Sequence, residues 1–195
     1  GNLTPPFKES DIPIPVDPYG LAKLQAEQQL KTLSDLHGLY YITVVPHNVI
    51  GIGQRYFDPF RNVVGIMINR CLQHKPIIIY GDGEQKRSFS NVLDCIKAIY
   101  KMMESRRKDL CGQVYNIGPD DNEISIKDLA YKIGHFCEKY PSLEHFPDRP
   151  AEVKNAFCSS QKVNWIKPQV KEFEYHLPLE FVTEKTPKTW TERLI

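Results

Sequence analysis

Between Pro18 and Tyr140, stretches with a helical repeat of apolar residues alternate with short unbroken runs of β-branched and aromatic ones. This alternation constrains the chain most, because helices interleaved with strands that lack polar alternation build a parallel sheet covered by helices. Leu21, Leu24, Leu30, Leu33 and Leu36 carry the first helix, with Asp17 as N-cap, Pro18 in the first turn and Gly38 as the stop. Tyr40 to Val45 is the longest apolar run and is predicted to be a strand covered on both faces. It is far short of the ~18 residues of a membrane-spanning helix. Further helices are predicted over 63–73, over 92–103, and from a Ser125–Asp128 capping box to about Tyr140. Strands are predicted over 76–80 and 114–117, with a turn at Gly81-Asp82-Gly83. The first 18 residues hold five of the fifteen prolines and read as an extended loop, and periodicity fades from about Asn164.

Charge and cysteine usage narrow the partners. Twenty-five basic residues against 24 acidic ones leave a net charge of +1, which gives no electrostatic footprint for nucleic acid or an anionic membrane surface. The polar, proline-rich start is unlike a signal peptide. Cys71, Cys95, Cys111, Cys137 and Cys158 stand singly, with no CxxC pair. This argues against a disulfide scaffold or a zinc site and fits a reducing, cytoplasmic compartment.

Three clusters carry chemistry. Tyr19 and Lys23 are four residues apart, so they share one face at the start of the first helix. Ten tyrosines and 17 lysines in 195 residues make one such pair expected by chance, so its weight comes from position rather than spacing. A phenol ordinarily titrates near 10, and a neighbouring ammonium favours its phenolate, which makes the pair a workable general base toward an alcohol. Pro46-His47-Asn48-Val49-Ile50-Gly51 directly follows the buried strand, where ligands bind in doubly wound sheets. Asn48 can donate and accept there, and Gly51 and Gly53 would let backbone approach a ligand. Tyr80 to Phe89 places an aromatic face, two glycines and the cations Lys86 and Arg87 within ten residues, as a nucleotide requires. Arg106-Arg107-Lys108 reads as a solvated cap at a helix end.

Tyr19-Gly-Leu-Ala-Lys23, Pro46-His-Asn-Val-Ile-Gly51, Arg61-Asn-Val-Val-Gly-Ile66, Tyr80-Gly-Asp-Gly83, Arg87-Ser-Phe89, Val114-Tyr-Asn-Ile-Gly118 and Glu123-Ile-Ser-Ile-Lys-Asp-Leu-Ala130 come in an order that resembles the extended short-chain dehydrogenase/reductases. Within these, the chain resembles nucleotide-sugar epimerases of the UDP-glucose 4-epimerase type over roughly residues 1–165. The resemblance implies an α/β fold: part of a Rossmann-like doubly wound parallel sheet plus a smaller α/β substrate lobe. Residues 1–50 would be the C-terminal part of the NAD-binding domain. Residues 51–195 would be mainly the nucleotide-sugar lobe, with segments returning to the sheet and an unassigned tail after about 165.

By the same resemblance, Tyr19 would be the base and Lys23 would assist it and hold the nicotinamide ribose. The Pro46-His47 backbone would border the nicotinamide of NAD. Asn48 would contact the UDP-sugar, Asn62 and Val63 would lie along its diphosphate, and Tyr80 and Phe89 would line the uridine. Arg87 and Arg149 match the diphosphate clamps. Glu152 stands where the family commonly has Asp beside the ribose, one methylene longer. Ala156 matches a position that limits the pocket near C2 of the hexose, and its small side chain predicts room for UDP-N-acetylhexosamines. The implied reaction removes the 4-hydroxyl proton while hydride passes to NAD, turns the 4-keto sugar and returns hydride to its other face. A nucleotide-sugar decarboxylase or 4,6-dehydratase shares the same pair, and a non-catalytic nucleotide- or partner-binding member is the alternative of another class. The first helix is the family's usual homodimer helix, although its leucines could equally face the core. No glycine-rich phosphate loop occurs in these 195 residues, and the family's catalytic Ser or Thr has no match. The chain is therefore expected to be the C-terminal part of an enzyme of about 300 residues, unable to hold NAD alone.

Overall fold

The computed structural model describes residues 4–51, 53–54, 62–105, 107–120, 122–150 and 152–165; Arg61, Arg106 and the tail after 165 lie outside the described residues. In chain order the elements are α1 (Pro18–His37), β1 (Thr43–Pro46), β2 (Val49–Ile50), α2 (Val63–Leu72), β3 (Ile77–Tyr80), β4 (Lys86–Arg87), β5 (Ser90–Asn91), α3 (Val92–Glu104), β6 (Val114–Ile117), β7 (Ile124–Ser125), α4 (Ile126–Phe136), β8 (Leu143–Phe146) and β9 (Asn155–Ala156). This is the α/β architecture that the alternation predicts.

Each helix starts where its cap dictates. The Asp17 carboxylate accepts from the Gly20 N–H at 2.6 Å, and Gly38 closes α1 at φ 68° with its N–H on the Ser34 carbonyl. Asn62 caps α2 through the Val64 N–H, Asn91 caps α3 through Leu93, and the Ser125 hydroxyl accepts from the Asp128 N–H at 3.0 Å. Helix α4 stops at Phe136, short of Tyr140. Glu138 turns left-handed at φ 53°, and Lys139 donates back to the Gly134 carbonyl.

Among the described residues, four of the five strand pairings are parallel (β1 with β6, β2 with β5, β3 with β8, and β4 with β9), and β4 with β7 runs antiparallel. Two cores result. One packs α2 and α4 over β3 through Val64, Met67, Ile79, Leu129 and Ile133; the other joins α3 to β6 through Cys95, Ala98, Met102, Tyr115 and Ile117. Strand β3 alternates cleanly, with Ile77 and Ile79 fully buried and Ile78 and Tyr80 turned to the opposite side.

Three sequence expectations change. Strand β1 is only Thr43–Pro46 and is half-buried rather than covered on both faces, and among the described residues its one strand partner is β6. Helix α1 buries none of its residues, so its leucines do not face the described core. Arg107 does not act as a free helix cap: it pairs with the Asp109 carboxylate at 2.5 Å and stacks on Trp165 at 4.5 Å.

Candidate functional site

At the carboxyl ends of β1 and β3 the chain encloses a cavity of about 1080 Å³. Its walls come from several segments of the chain. Tyr19 enters from the first turn of α1, and Pro46, Asn48 and Val49 come from the end of β1 and the loop after it. Asn62, Val63, Ile66, Met67 and Arg70 form one stripe of α2. Tyr80, Gln85, Arg87 and Phe89 come from β3 and the loop beyond it, and Arg149 and Glu152 close the far side. Ten residues predicted from sequence therefore line a single space. Lys23, His47 and Ala156 are not wall residues. Lys23 sets its ammonium beside the Tyr19 ring, the His47 Cβ lies next to Gly118, and Ala156 lies across from Arg87 in β9.

Tyr19 is 73% exposed, so its phenol is open to a ligand from the cavity side. The Lys23 ammonium lies 5.4 Å from the Tyr19 ring centroid, as the i, i+4 spacing requires. Asn48 is held left-handed at φ 35°, and its amide donates to the Ser88 carbonyl at 2.8 Å, which ties the β1 loop to the Arg87–Phe89 strip. Asn62 donates to the Val49 carbonyl at 3.1 Å while capping α2, so the helix N-terminus, with its partial positive charge, faces the cavity. The His47 N–H donates to the Ile117 carbonyl at 2.9 Å, and burial pushes the imidazole down to about 4, so the ring is neutral at pH 7.

The cations are arranged differently from a pair of free clamps. Arg87 spends its fork on the chain: Nη1 donates to the Lys86 and Lys154 carbonyls at 2.8 and 3.1 Å, and Nη2 to the Val153 carbonyl at 2.7 Å. Nη2 also faces the Glu152 carboxylate at 3.5 Å. Burial lowers the Arg87 pKa, and Glu152 opposes that shift. Arg149 lies over the Tyr80 ring, its guanidinium carbon 3.9 Å from the centroid, with the Phe146 ring 6.1 Å away on β8.

Gly51 does not open the loop to a ligand, as its position after β1 suggested. A Cβ there would stand 2.9 Å from the Val92 Cβ, so the glycine admits the start of α3 instead. Seven wall residues were not marked by the sequence, five of them apolar and two polar. Gln85 is buried and donates to the Tyr80 carbonyl at 2.9 Å, while Arg70 donates through Nε to the Pro76 carbonyl.

Burial pushes the Cys95, Cys137 and Cys158 thiols up to about 11, 12 and 12, which keeps them protonated at neutral pH. Among the described residues no three His, Cys, Asp or Glu side chains gather to hold a metal ion, and no helix is long and apolar enough to cross a membrane. A phenol, a nearby ammonium and the Pro46 edge suit the nicotinamide ribose end of a dinucleotide. The cations and aromatics on the opposite wall suit a nucleotide.

Known proteins share this fold. The chain is 26% identical to the UDP-N-acetylglucosamine 4-epimerase of Methanobrevibacter ruminantium M1, solved with UDP-N-acetylmuramic acid, at a TM-score of 0.81 over 97% of this chain and 58% of that one. The UDP-glucose 4-epimerase of Thermotoga maritima, solved with UDP-glucose, is 25% identical with a TM-score of 0.82 over 100% of this chain and 60% of that one. The dTDP-glucose 4,6-dehydratase of Bacillus anthracis, solved with NAD, shares the fold at 22% identity and a TM-score of 0.76, over 97% and 57% of the two chains. The chain thus spans less than two thirds of the length of each. The family model for NAD-dependent epimerases and dehydratases matches residues 1–118, which takes in Tyr19, Lys23, the β1 loop, the α2 stripe and the Arg87–Phe89 strip. With its Rossmann-like α/β fold, the chain belongs to the NAD-dependent epimerase/dehydratase family.

Proposed function

We propose that this chain supplies the nucleotide-sugar side of an NAD-dependent enzyme that inverts C4 of a UDP-hexose or UDP-N-acetylhexosamine. One observation carries the reading: the Tyr19 phenol opens onto the same cavity as the Tyr80 ring, the α2 N-terminus and the Arg149 guanidinium. A sugar nucleotide with its base against Tyr80 and its phosphates toward Asn62 presents its hexose to Tyr19.

Tyr19, Lys23 and the Pro46-His47 backbone would hold the nicotinamide end of NAD, which, when bound, supplies reversible hydride acceptance at C4. The protein contributes the proton path and the placement. Tyr19 takes the 4-hydroxyl proton and gives it back, and Lys23 places positive charge beside the developing phenolate. Neutral His47 packs behind the loop without adding a competing charge. Asn48 and Asn62 each have their amide nitrogen tied to backbone, so their positions are set before a ligand arrives. A homodimer through the exposed face of α1 and a cytoplasmic location belong to the same reading.

The test is to incubate the protein at its natural length with NAD and with UDP-glucose or UDP-N-acetylglucosamine, and to follow C4 inversion by NMR. Both sugars are expected to react, and Tyr19→Phe should lower kcat by about 10²–10⁴-fold with the nucleotide still bound. Loss of carbon dioxide or of water from the sugar would assign the chain to decarboxylation or dehydration instead. Full activity in Tyr19→Phe would remove the base from the mechanism. Reaction confined to the plain hexose would refute the role read from Ala156.

A further inference from the structure

We propose that Arg70 reads the outer edge of the nucleobase and makes the site prefer bases that present a carbonyl there, uracil or thymine over cytosine. The inference rests on the nucleotide-sugar reading above and adds a specificity residue to it. Arg70 lines the cavity together with Val63, Ile66 and Met67, one stripe of α2 at helical spacing. At 1.5 Å per residue it stands about 12 Å along the axis from Asn62, a distance comparable to the length of a nucleoside diphosphate. A ligand with its phosphates at the helix N-terminus and its base by Ile78 and Tyr80 therefore ends at Arg70.

The side chain is fixed for the task. Its Nε donates to the carbonyl of Pro76, the residue that leads into β3, so the fork is anchored to the strand that carries Ile78 and Tyr80. Its two terminal amino groups have no partner among the described residues. In this respect it differs from Arg87, whose fork is spent on Val153, Lys154 and Glu152. A guanidinium donates only and keeps its charge throughout the working pH range. The 4-carbonyl of uracil or thymine accepts from it, whereas the 4-amino group of cytosine is itself a donor and leaves both groups unpaired.

Titration calorimetry with UDP and CDP on the protein at its natural length tests this without requiring turnover. The wild type should bind UDP roughly tenfold to a hundredfold more tightly than CDP, the scale of one charge-assisted hydrogen bond. Arg70→Gln, whose carboxamide can either donate or accept, should bring the two affinities within about threefold while the thermal midpoint stays close to wild type. Arg70→Lys remains donor-only and should keep the preference for UDP. An unchanged UDP-to-CDP ratio in Arg70→Gln would overturn the inference and leave the nucleotide-sugar reading standing. If the wild type binds neither nucleotide, both fall.

Discussion

Exchanging Arg87 for lysine keeps the positive charge in the cavity and removes the planar fork. The structure says which of the two matters. The side chain is 17% exposed and makes four contacts between 2.7 and 3.5 Å: the carbonyls of Lys86, Val153 and Lys154, and the Glu152 carboxylate. These contacts hold the segment that leads into β9 against β4, where Arg87 and Ala156 stand in register. An ammonium on a flexible stem satisfies at most about two of the four acceptors, because its donors do not lie in one plane. Two lost hydrogen bonds at about 1 kcal/mol each give a loss of about 2 kcal/mol. For a chain of this size that lowers the melting midpoint by about 4–8 °C. The assay is a thermal melt of Arg87→Lys beside the wild type, followed by UDP titration below both midpoints. A midpoint within 1 °C of wild type, with UDP affinity reduced, would show that Arg87 serves the diphosphate as a charge and refute its assignment as a strap on residues 152–154.

The remaining predictions follow from close packing and from a buried imidazole. At Gly134 a Cβ would lie 2.6 Å from the Pro141 Cγ and 2.9 Å from the Lys139 carbonyl oxygen. Gly134→Ala should therefore lose about 1–2 kcal/mol in a urea melt, although alanine ordinarily favours a helix interior by about 1 kcal/mol; a raised midpoint would contradict the contact. His47 is pushed down to about 4 from its ordinary 6.5, so between those values the unfolded chain takes a proton that the folded chain refuses. Stability then falls as pH drops from 6.5 toward 4, by at most about 3 kcal/mol, and His47→Gln should flatten that slope; an equal slope in the variant would place the titration elsewhere.

The helices were legible because their signals are local. Asp17, Pro18 and Gly38 bound α1, and Ser125 with Asp128 opens α4, all within a few residues of the turns they shape. The end of α4 was misplaced because its stop is Glu138 in a left-handed conformation and not a glycine, so no residue type announces it. Strands of two residues, such as β2, β4, β5, β7 and β9, carry no periodicity at all. They exist because a partner strand stands beside them, and for β4 that partner is 69 positions away at Asn155. Strand β8 reads Leu143-Glu144-His145-Phe146, polar in the middle, and is a strand because β3 offers it an edge.

The site divides along the same line. Residue types at loop ends and helix starts pointed to Tyr19, Asn48, Asn62 and Tyr80, and the fold gathers these into one cavity. What a side chain has left to give a ligand is another matter, because its free donors depend on partners distant in sequence. Arg87 is marked by its sequence context and Arg70 is not, yet both line the cavity. Arg87 meets acceptors 65 to 67 residues further on, and its fork is consumed in holding them. Among the described residues the Arg70 side chain meets the Pro76 carbonyl alone, six residues away, and it lines the cavity from α2. Arg149 is committed to the Tyr80 ring, an attraction that a base competing for the same face must displace. Recognition in this cavity therefore depends less on how many cations line it than on which of them the fold has left unspent.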